Sequence, residues 1–349
     1  MTTEDTLTAL GWRPHFAAQL VDPDDTGLQI ARVLAVHRGR IEVRGQGAHR
    51  FIDLTAKRAG LGITVGDWVL VDEDGPMVSR RLDRFGLFQR RAAGTSGDIQ
   101  LIAANVDTLF IVTSANRDFN VARLERYLAV AHDAGAYPVI VITKADTVES
   151  TTDFVTEASR LSPGLLVEAL DARDAAQVAV LRPWCDAGQT VALVGSSGVG
   201  KSTIINTLAG THQDTHDVRD DDQRGRHTTT GRSMHQLPDG GWLIDTPGMR
   251  ELQLVDVAAA LEDVFDDVTK LAKECRFADC THTTEPDCAV LAAIESGELD
   301  ADRLKRYRKL LAEDRRNTES LAVRRARDRS TGKLYKSIQA GKRREKGSE

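Results

Sequence analysis

Residues 190–203 read TVALVGSSGVGKST. Thr190 to Val194 are without charge, as a strand buried on both faces requires, and the turn after them opens an amphipathic helix, IINTLAG. Between the two, Gly195, four residues, Gly200, Lys201 and Ser202 match the phosphate-loop pattern. Glycines let the backbone turn tightly, so that the amides from Gly195 through Ser196, Ser197, Gly198, Val199 and Gly200 to Thr203 can face phosphate oxygens at a helix start. Lys201 is expected to reach the β and γ phosphates, and Ser202 to place its hydroxyl on Mg²⁺.

Two further segments belong with this turn. Asp245-Thr246-Pro247-Gly248 closes the apolar strand WLI about 45 residues later. Its carboxylate can hold Mg²⁺ through a water, and the Gly248 amide can meet the γ phosphate. The tetrapeptide alone is also a good turn sequence; its place after a phosphate loop gives it meaning. Between them, residues 212–233 (HQDTHDVRDDDQRGRHTTTGRS) are polar and without periodicity. A loop of that length in a compact domain is functional or disordered. Thr228, Thr229 and Thr230 offer hydroxyls for Mg²⁺, with Thr229 preferred, so the segment is the candidate for a loop ordered by the γ phosphate.

The base is read elsewhere. Thr143-Lys144-Ala145-Asp146 follows the strand PVIVI. A carboxylate there accepts hydrogen bonds from guanine N1 and its exocyclic amine, which adenine does not offer. Polar mismatch of this kind discriminates by about 10⁴-fold, which argues for GTP. LLVEAL, residues 165–170, would add a backbone contact near Ala169. The base motif thus precedes the phosphate loop in the chain. All these elements lie round one sheet, so the site survives if the chain is cut and rejoined: a circular permutation. Apolar runs at Val106–Thr113, Pro138–Ile142, Leu165–Ala169, Thr190–Val194 and Gly241–Ile244, with amphipathic stretches at Val121–Ala134 and Thr151–Leu161, predict a mostly parallel sheet covered by helices.

The flanks differ in style. From Gln29 to Arg91, five short alternating runs (QIARVLAVH, RIEVRG, HRFIDL, VGDWVLVDE and PMVSRRL) suit a small OB-fold barrel. Lys and Arg exceed Asp and Glu there by 12 to seven, which favours nucleic acid, though a packing or protein-contact role fits too. Residues 92–105 read as a linker. Beyond Glu251 the pattern is helical: Val257–Ala272, Cys288–Ile294 and a charged stretch, Ala301–Arg329, that suits one exposed helix. Cys275, Cys280, His282 and Cys288 offer three thiolates and an imidazole, a set for closed, structural zinc. Cys185, beside Trp184, reads as core.

The expected domains are therefore 1–91, an OB-fold RNA-binding barrel; 92–255, an α/β permuted P-loop nucleotide domain; and 256–349, a helical zinc domain with a basic tail. From Arg303 onward 17 Lys or Arg face six Asp or Glu, so an acidic body of net −17 precedes a tail of +11. Attraction to phosphate is screened beyond about 8 to 10 Å, so the tail can bind nucleic acid despite the net charge of −6. With 41% hydrophobic and 28% charged residues among 349, general disorder is excluded. No apolar run approaches the ~18 residues of a membrane span, and MTTEDTLTALGWRP does not suit a signal peptide. A cytoplasmic monomer is expected.

Taken with the barrel, the permuted motifs, the Cys/His cluster and the basic tail, the chain resembles the RsgA (YjeQ) family of circularly permuted ribosome-assembly GTPases over nearly its whole length. The resemblance implies a GTP hydrolase that binds the immature small (30S) ribosomal subunit, contacts 16S rRNA, and is stimulated by that subunit. It places Gly195 to Ser202 on the phosphate loop, Thr229 on the switch threonine, Asp245 to Gly248 on the γ-phosphate motif, and Thr143, Lys144 and Asp146 on the base motif. Three residues depart from the pattern. Thr143 stands for the usual Asn and has no amide to donate. Glu168 stands where Ser is common, and Met249 follows DTPG where Ras-like enzymes place a water-orienting Gln. Slow intrinsic turnover is expected, with His227 a candidate local helper. The rival readings are an RNA-binding module whose nucleotide is structural, and a P-loop kinase or ATPase.

Overall fold

The computed structural model describes residues 3–46, 49–54, 61–73, 75, 77–91, 99–210, 232–245, 249, 254 and 256–318. After two short helices, α1 (Thr3–Ala9) and α2 (Pro14–Ala17), come β1 (Leu28–His37), β2 (Arg40–Gly45), β3 (Arg50–Asp53), β4 (Trp68–Asp72) and β5 (Val78–Arg81). The C-terminal part of β1 pairs with β2 and its N-terminal part with β4, so all five strands wrap one core of Val33, Ile41, Val43, Ile52, Val69 and Val71. This is the OB-type barrel. Alternation explains it: along β2 the exposure runs exposed, buried, half-buried, buried, which puts Ile41 and Val43 inside.

Residues 92–105 are not simply a linker. Ile99–Ala104 forms a strand, β7, antiparallel to β6 (Leu87–Arg91), and Phe88 and Ile102 of this ribbon are buried. A short run ending in two alanines gives little strand signal; it is held by tertiary contact with the barrel, where Val65 bridges to Ala103.

The α/β unit contains β8 (Thr108–Ser114), β9 (Tyr137–Thr143), β10 (Leu166–Ala169), β11 (Thr190–Val194), β12 (Arg232–Gln236) and β13 (Trp242–Asp245). Their order is β12-β13-β11-β8-β9-β10, and β13 through β10 are parallel. Every residue of β8 and β11 is buried, the pattern of strands covered on both faces. Helices α5 (Ala175–Val178) and α6 (Lys201–Ala209) cover one face through Val178, Ile204 and Leu208. Helices α3 (Val121–Asp133) and α4 (Thr152–Ser159) cover the other, through residues such as Leu128 and Ala158. Strand β12 falls at the end of the segment expected as loop. It pairs with β13 on one side and with β1 on the other, Ala35 opposite Ser233, so barrel and α/β unit share one 11-stranded sheet.

The C-terminal part is helical. The expected Val257–Ala272 segment is two helices, Ala258–Val264 and Asp266–Ala272, because Phe265 leaves the helical region at φ −107°, ψ 40°. The helix at 301–318 is packed rather than exposed: Leu304, Leu310, Arg303 and Asp314 are buried. Among the described residues no helix is long and apolar enough to cross a membrane.

Candidate nucleotide and metal sites

The phosphate turn joins β11 to α6. Gly195 has φ +144°, and a Cβ on it would lie 2.1 Å from the Val112 carbonyl oxygen of β8, so the close approach of strand and turn admits only glycine. Gly200, at φ +100°, occupies the N-cap of α6. Lys201 folds back over the turn, and its Nζ donates to the Gly195 carbonyl (2.8 Å) and to that of Ser196. Its ammonium is thereby buried with two neutral oxygens, a position from which it can meet an anion.

Strand β9 brings the base motif beside it. Lys144 has φ +59°, a left-handed conformation unusual for a side chain of that size and frequent at functional turns. Thr143, fully buried, donates its hydroxyl to the Val199 carbonyl at 2.5 Å, with the Thr113 carbonyl a second acceptor at 3.1 Å. The residue that lacks an amide therefore ties β9 to the phosphate turn by its hydroxyl. The Asp146 carboxylate accepts from Arg173 Nη2 at 2.7 Å, and Arg173 also grips Asp171. These hydrogen bonds and the guanidinium charge hold the Asp171 carboxyl below the usual range.

One cavity of about 430 Å³ unites the two motifs: Thr143, Lys144 and Asp146 face Ser197, Gly198, Gly200, Lys201, Ser202 and Thr203 across it. Gly195, Ser196 and Val199 lie outside the lining, and Val199 is buried. Asp245 stands exposed at the end of β13, next to β11. Thr229 and Gly248 fall outside the described residues. The third wall is Asp171, Ala172 and Arg173, beyond Ala169, because Ala169 is still paired with Ile142 in the sheet. Sequence reasoning missed Arg173; the polar turn DARD directly after a strand was the available signal. Met249 is buried in the core, so its side chain cannot aim at a water in this cavity.

The second site lies between the helices Asp266–Ala272 and Ala289–Ser296. The ligand atoms of Cys275, Cys280, His282 and Cys288 all lie within 4.8 Å of one another. Cys275 Sγ is 3.7 Å from Cys288 Sγ, and His282 Nδ1 is 3.6 and 3.4 Å from those sulfurs. A tetrahedral zinc with bonds of about 2.3 Å to sulfur and 2.0 to 2.1 Å to nitrogen would separate its ligands by about 3.5 to 3.8 Å. The four residues fit such an ion. The knuckle is stitched by Glu285, which accepts from the Thr281 hydroxyl and the Thr281 and Thr283 amides, bonds that hold its pKa well below normal. Cys185 belongs to neither site: it is buried in the core, where desolvation pushes its thiol up to about 12.

A mostly parallel sheet with strand order β12-β13-β11-β8-β9-β10, β12 alone antiparallel, a phosphate turn after the central strand and a base motif that precedes it in the chain define a circularly permuted P-loop GTPase. The family model described as RsgA GTPase matches residues 81–255. The small ribosomal subunit biogenesis GTPase RsgA 2 of Vibrio parahaemolyticus is 48% identical over 349 residues, spanning 100% of this chain and 97% of the relative. The small ribosomal subunit biogenesis GTPase RsgA of Mesorhizobium japonicum is 49% identical over 316 residues, 89% and 91% of the two chains. The crystal structure of YjeQ from Thermotoga maritima superposes with a TM-score of 0.63 at 25% identity, covering 82% of this chain and 98% of that one. That of YloQ, a circularly permuted GTPase, shares the fold with a TM-score of 0.57. The chain belongs to the RsgA GTPase family.

Proposed function

We propose that this protein hydrolyses GTP to GDP and phosphate in the late maturation of the small ribosomal subunit, binding 16S rRNA and leaving on hydrolysis. The observation that supports this most is the single cavity shared by Asp146 and the phosphate turn, in a chain that resembles subunit-biogenesis GTPases from end to end. Asp146 accepts from guanine N1–H and the exocyclic amine, once Arg173 gives way to the base. The turn amides and Lys201 hold the phosphates. Magnesium, when bound, neutralises charge on the β and γ oxygens. Ser202 and Thr229 are the hydroxyls to hold it, with Asp245 acting through a water. The Gly248 amide registers the γ phosphate. Cys275, Cys280, His282 and Cys288 hold one structural zinc that pins the C-terminal helices.

The domains follow the same division: residues 1–91 with the barrel, 92–255 with the nucleotide site, and 256–349 with the metal and the basic tail. Barrel and tail supply phosphate contacts to RNA. The protein acts as a cytoplasmic monomer, and the small subunit stimulates its turnover.

The test is GTP turnover with and without purified small subunits, alongside sedimentation with small and large subunits in GDP, GTP and a non-hydrolysable analogue. Capture by small subunits in the triphosphate states and faster turnover on them are expected. Turnover indifferent to subunits would favour an RNA-binding module with structural nucleotide. ATP competing at similar affinity would contradict the role given to Asp146.

A further inference from the structure

Two cations meet at Ser196. Its carbonyl oxygen accepts from Lys201 Nζ, and its hydroxyl accepts from Arg123 Nη1. Arg123 comes from the first turn of α3, outside every phosphate motif. It is half-buried, and its other guanidinium nitrogen donates to the Asp118 carbonyl at 2.8 Å. Both of these partners are uncharged oxygens.

The neighbouring arginines are different. Arg126, one residue after Glu125, is bidentate on Glu313. Arg303 and Arg306 converge on buried Glu125. Among the described residues Arg123 has no carboxylate within ion-pair distance. A half-buried guanidinium held by uncharged oxygens keeps its charge available for an anion. Its planar fork suits phosphate oxygens.

The position says which phosphate. Asp146 and Arg173, which would meet the base, line the same cavity as Gly198, Gly200 and Lys201, which would meet the phosphates. Lys201, the residue that reaches the β and γ phosphates, sets its Nζ on the Ser196 carbonyl, so Ser196 stands by the end of the phosphate chain rather than by the base. A diphosphate stops short of this end, whereas a third phosphate extends to it. We propose that Arg123 is a further phosphate-binding residue, whose guanidinium exchanges the Ser196 hydroxyl for the terminal phosphate of a nucleoside triphosphate. The proposal rests on the GTP reading above. An arginine supplied in cis stabilises charge that gathers on the γ phosphoryl oxygens as water attacks and GDP leaves. That role is apt where the side chain after DTPG, Met249, is locked in the core.

Arg123→Ala and Arg123→Lys in the full chain test it, with affinities for fluorescent GDP and a non-hydrolysable GTP analogue and single-turnover hydrolysis at saturating GTP. Arg123→Ala is expected to leave GDP affinity within about two-fold, and to weaken the analogue and slow turnover by about ten-fold or more, the worth of a charged hydrogen bond. Arg123→Lys, which keeps the charge and loses the fork, should fall between. Equal loss of both affinities would reduce Arg123 to a brace of the turn, and no change in either affinity or turnover would remove it from the site; both overturn the proposal. Failure of the GTP reading would show separately, as a parent chain that binds no guanine nucleotide, and the proposal falls with it.

Discussion

Thr143 carries a task that its place in the motif does not announce. From sequence it reads as a deficit, an Asn position without its amide. In the fold its hydroxyl is the hydrogen-bond donor that fastens β9 to the Val199 carbonyl of the phosphate turn. Thr143→Val keeps the shape and removes the donor, leaving that carbonyl buried without it. The expected cost is about 1 to 2 kcal/mol in denaturant unfolding, together with weaker nucleotide binding. An unchanged midpoint would mean that the turn is held by other contacts. Lys144 and Asp146 were legible because a polar tetrapeptide at the end of an apolar run has few other uses. Arg173 and Arg123 were not, because each is a solvent-type residue until the fold sets it beside a site.

Among the elements, α3 does the most joining. Asn120 caps it by accepting from the Arg123 amide, Glu125 and Arg126 bind the helix at 301–318, and Asp133 ends it. Asp133 is badly placed. Partial burial of its carboxyl, then the nearby Asp256 and Asp314 carboxylates, raise its pKa to about 6, and the negative end of the helix dipole acts the same way. A folded-state pKa above the unfolded 3.8 means that the folded chain holds the proton more tightly. Its contribution to stability is therefore full below about pH 3.8 and is lost as pH rises through about 6. Asp133→Asn should melt higher than the parent by about 1 to 3 °C near neutral pH, solvent screening keeping the effect small. The gap should close by pH ~4. A gap that widens in acid would show that the aspartate is stabilising. The metal knuckle makes its own prediction at this scale: a chelator should release about one zinc per chain and lower the melting temperature, since binding and folding are linked. Melting unaffected by chelation would leave the four ligand residues as mere packing.

At the scale of the whole molecule, Arg32 is the junction. From β1 of the barrel it donates to the Leu10 carbonyl of the N-terminal segment, to the Asn105 carbonyl at 3.3 Å and to the Thr190 hydroxyl of β11 at 2.8 Å. Its burial is deep enough that desolvation lowers its pKa to about 10. Trp68 packs against it and against Trp12, and the Trp242 indole donates to Ala9, so the N-terminal segment is wedged between barrel and sheet. Arg32→Leu would strand three buried acceptors. About 3 kcal/mol or more of stability should go, with limited proteolysis cutting the barrel away from the rest. Retained resistance to the protease would show that the β1–β12 pairing alone holds the units together. The same pairing sets the barrel against β12, which pairs in turn with β13, so the barrel and the strand that ends at Asp245 share one sheet.

The sequence by itself determined the chemistry that depends on local order: a glycine-paced turn between strand and helix, a carboxylate after an apolar run, three thiols and an imidazole within one short stretch, and the rotated sequence of those motifs. Each is a covalent neighbourhood whose residue types have one economical use. What only the tertiary structure decided was which of them meet, and what else stands beside them. Strand β12 exists because β1 and β13 offer it partners on both sides, the ribbon of β6 and β7 because the barrel covers it, and one face of the helix at 301–318 is packed because Glu125 meets its arginines. Such contacts join residues distant along the chain, and their free energy comes from burial and pairing that no window of sequence contains.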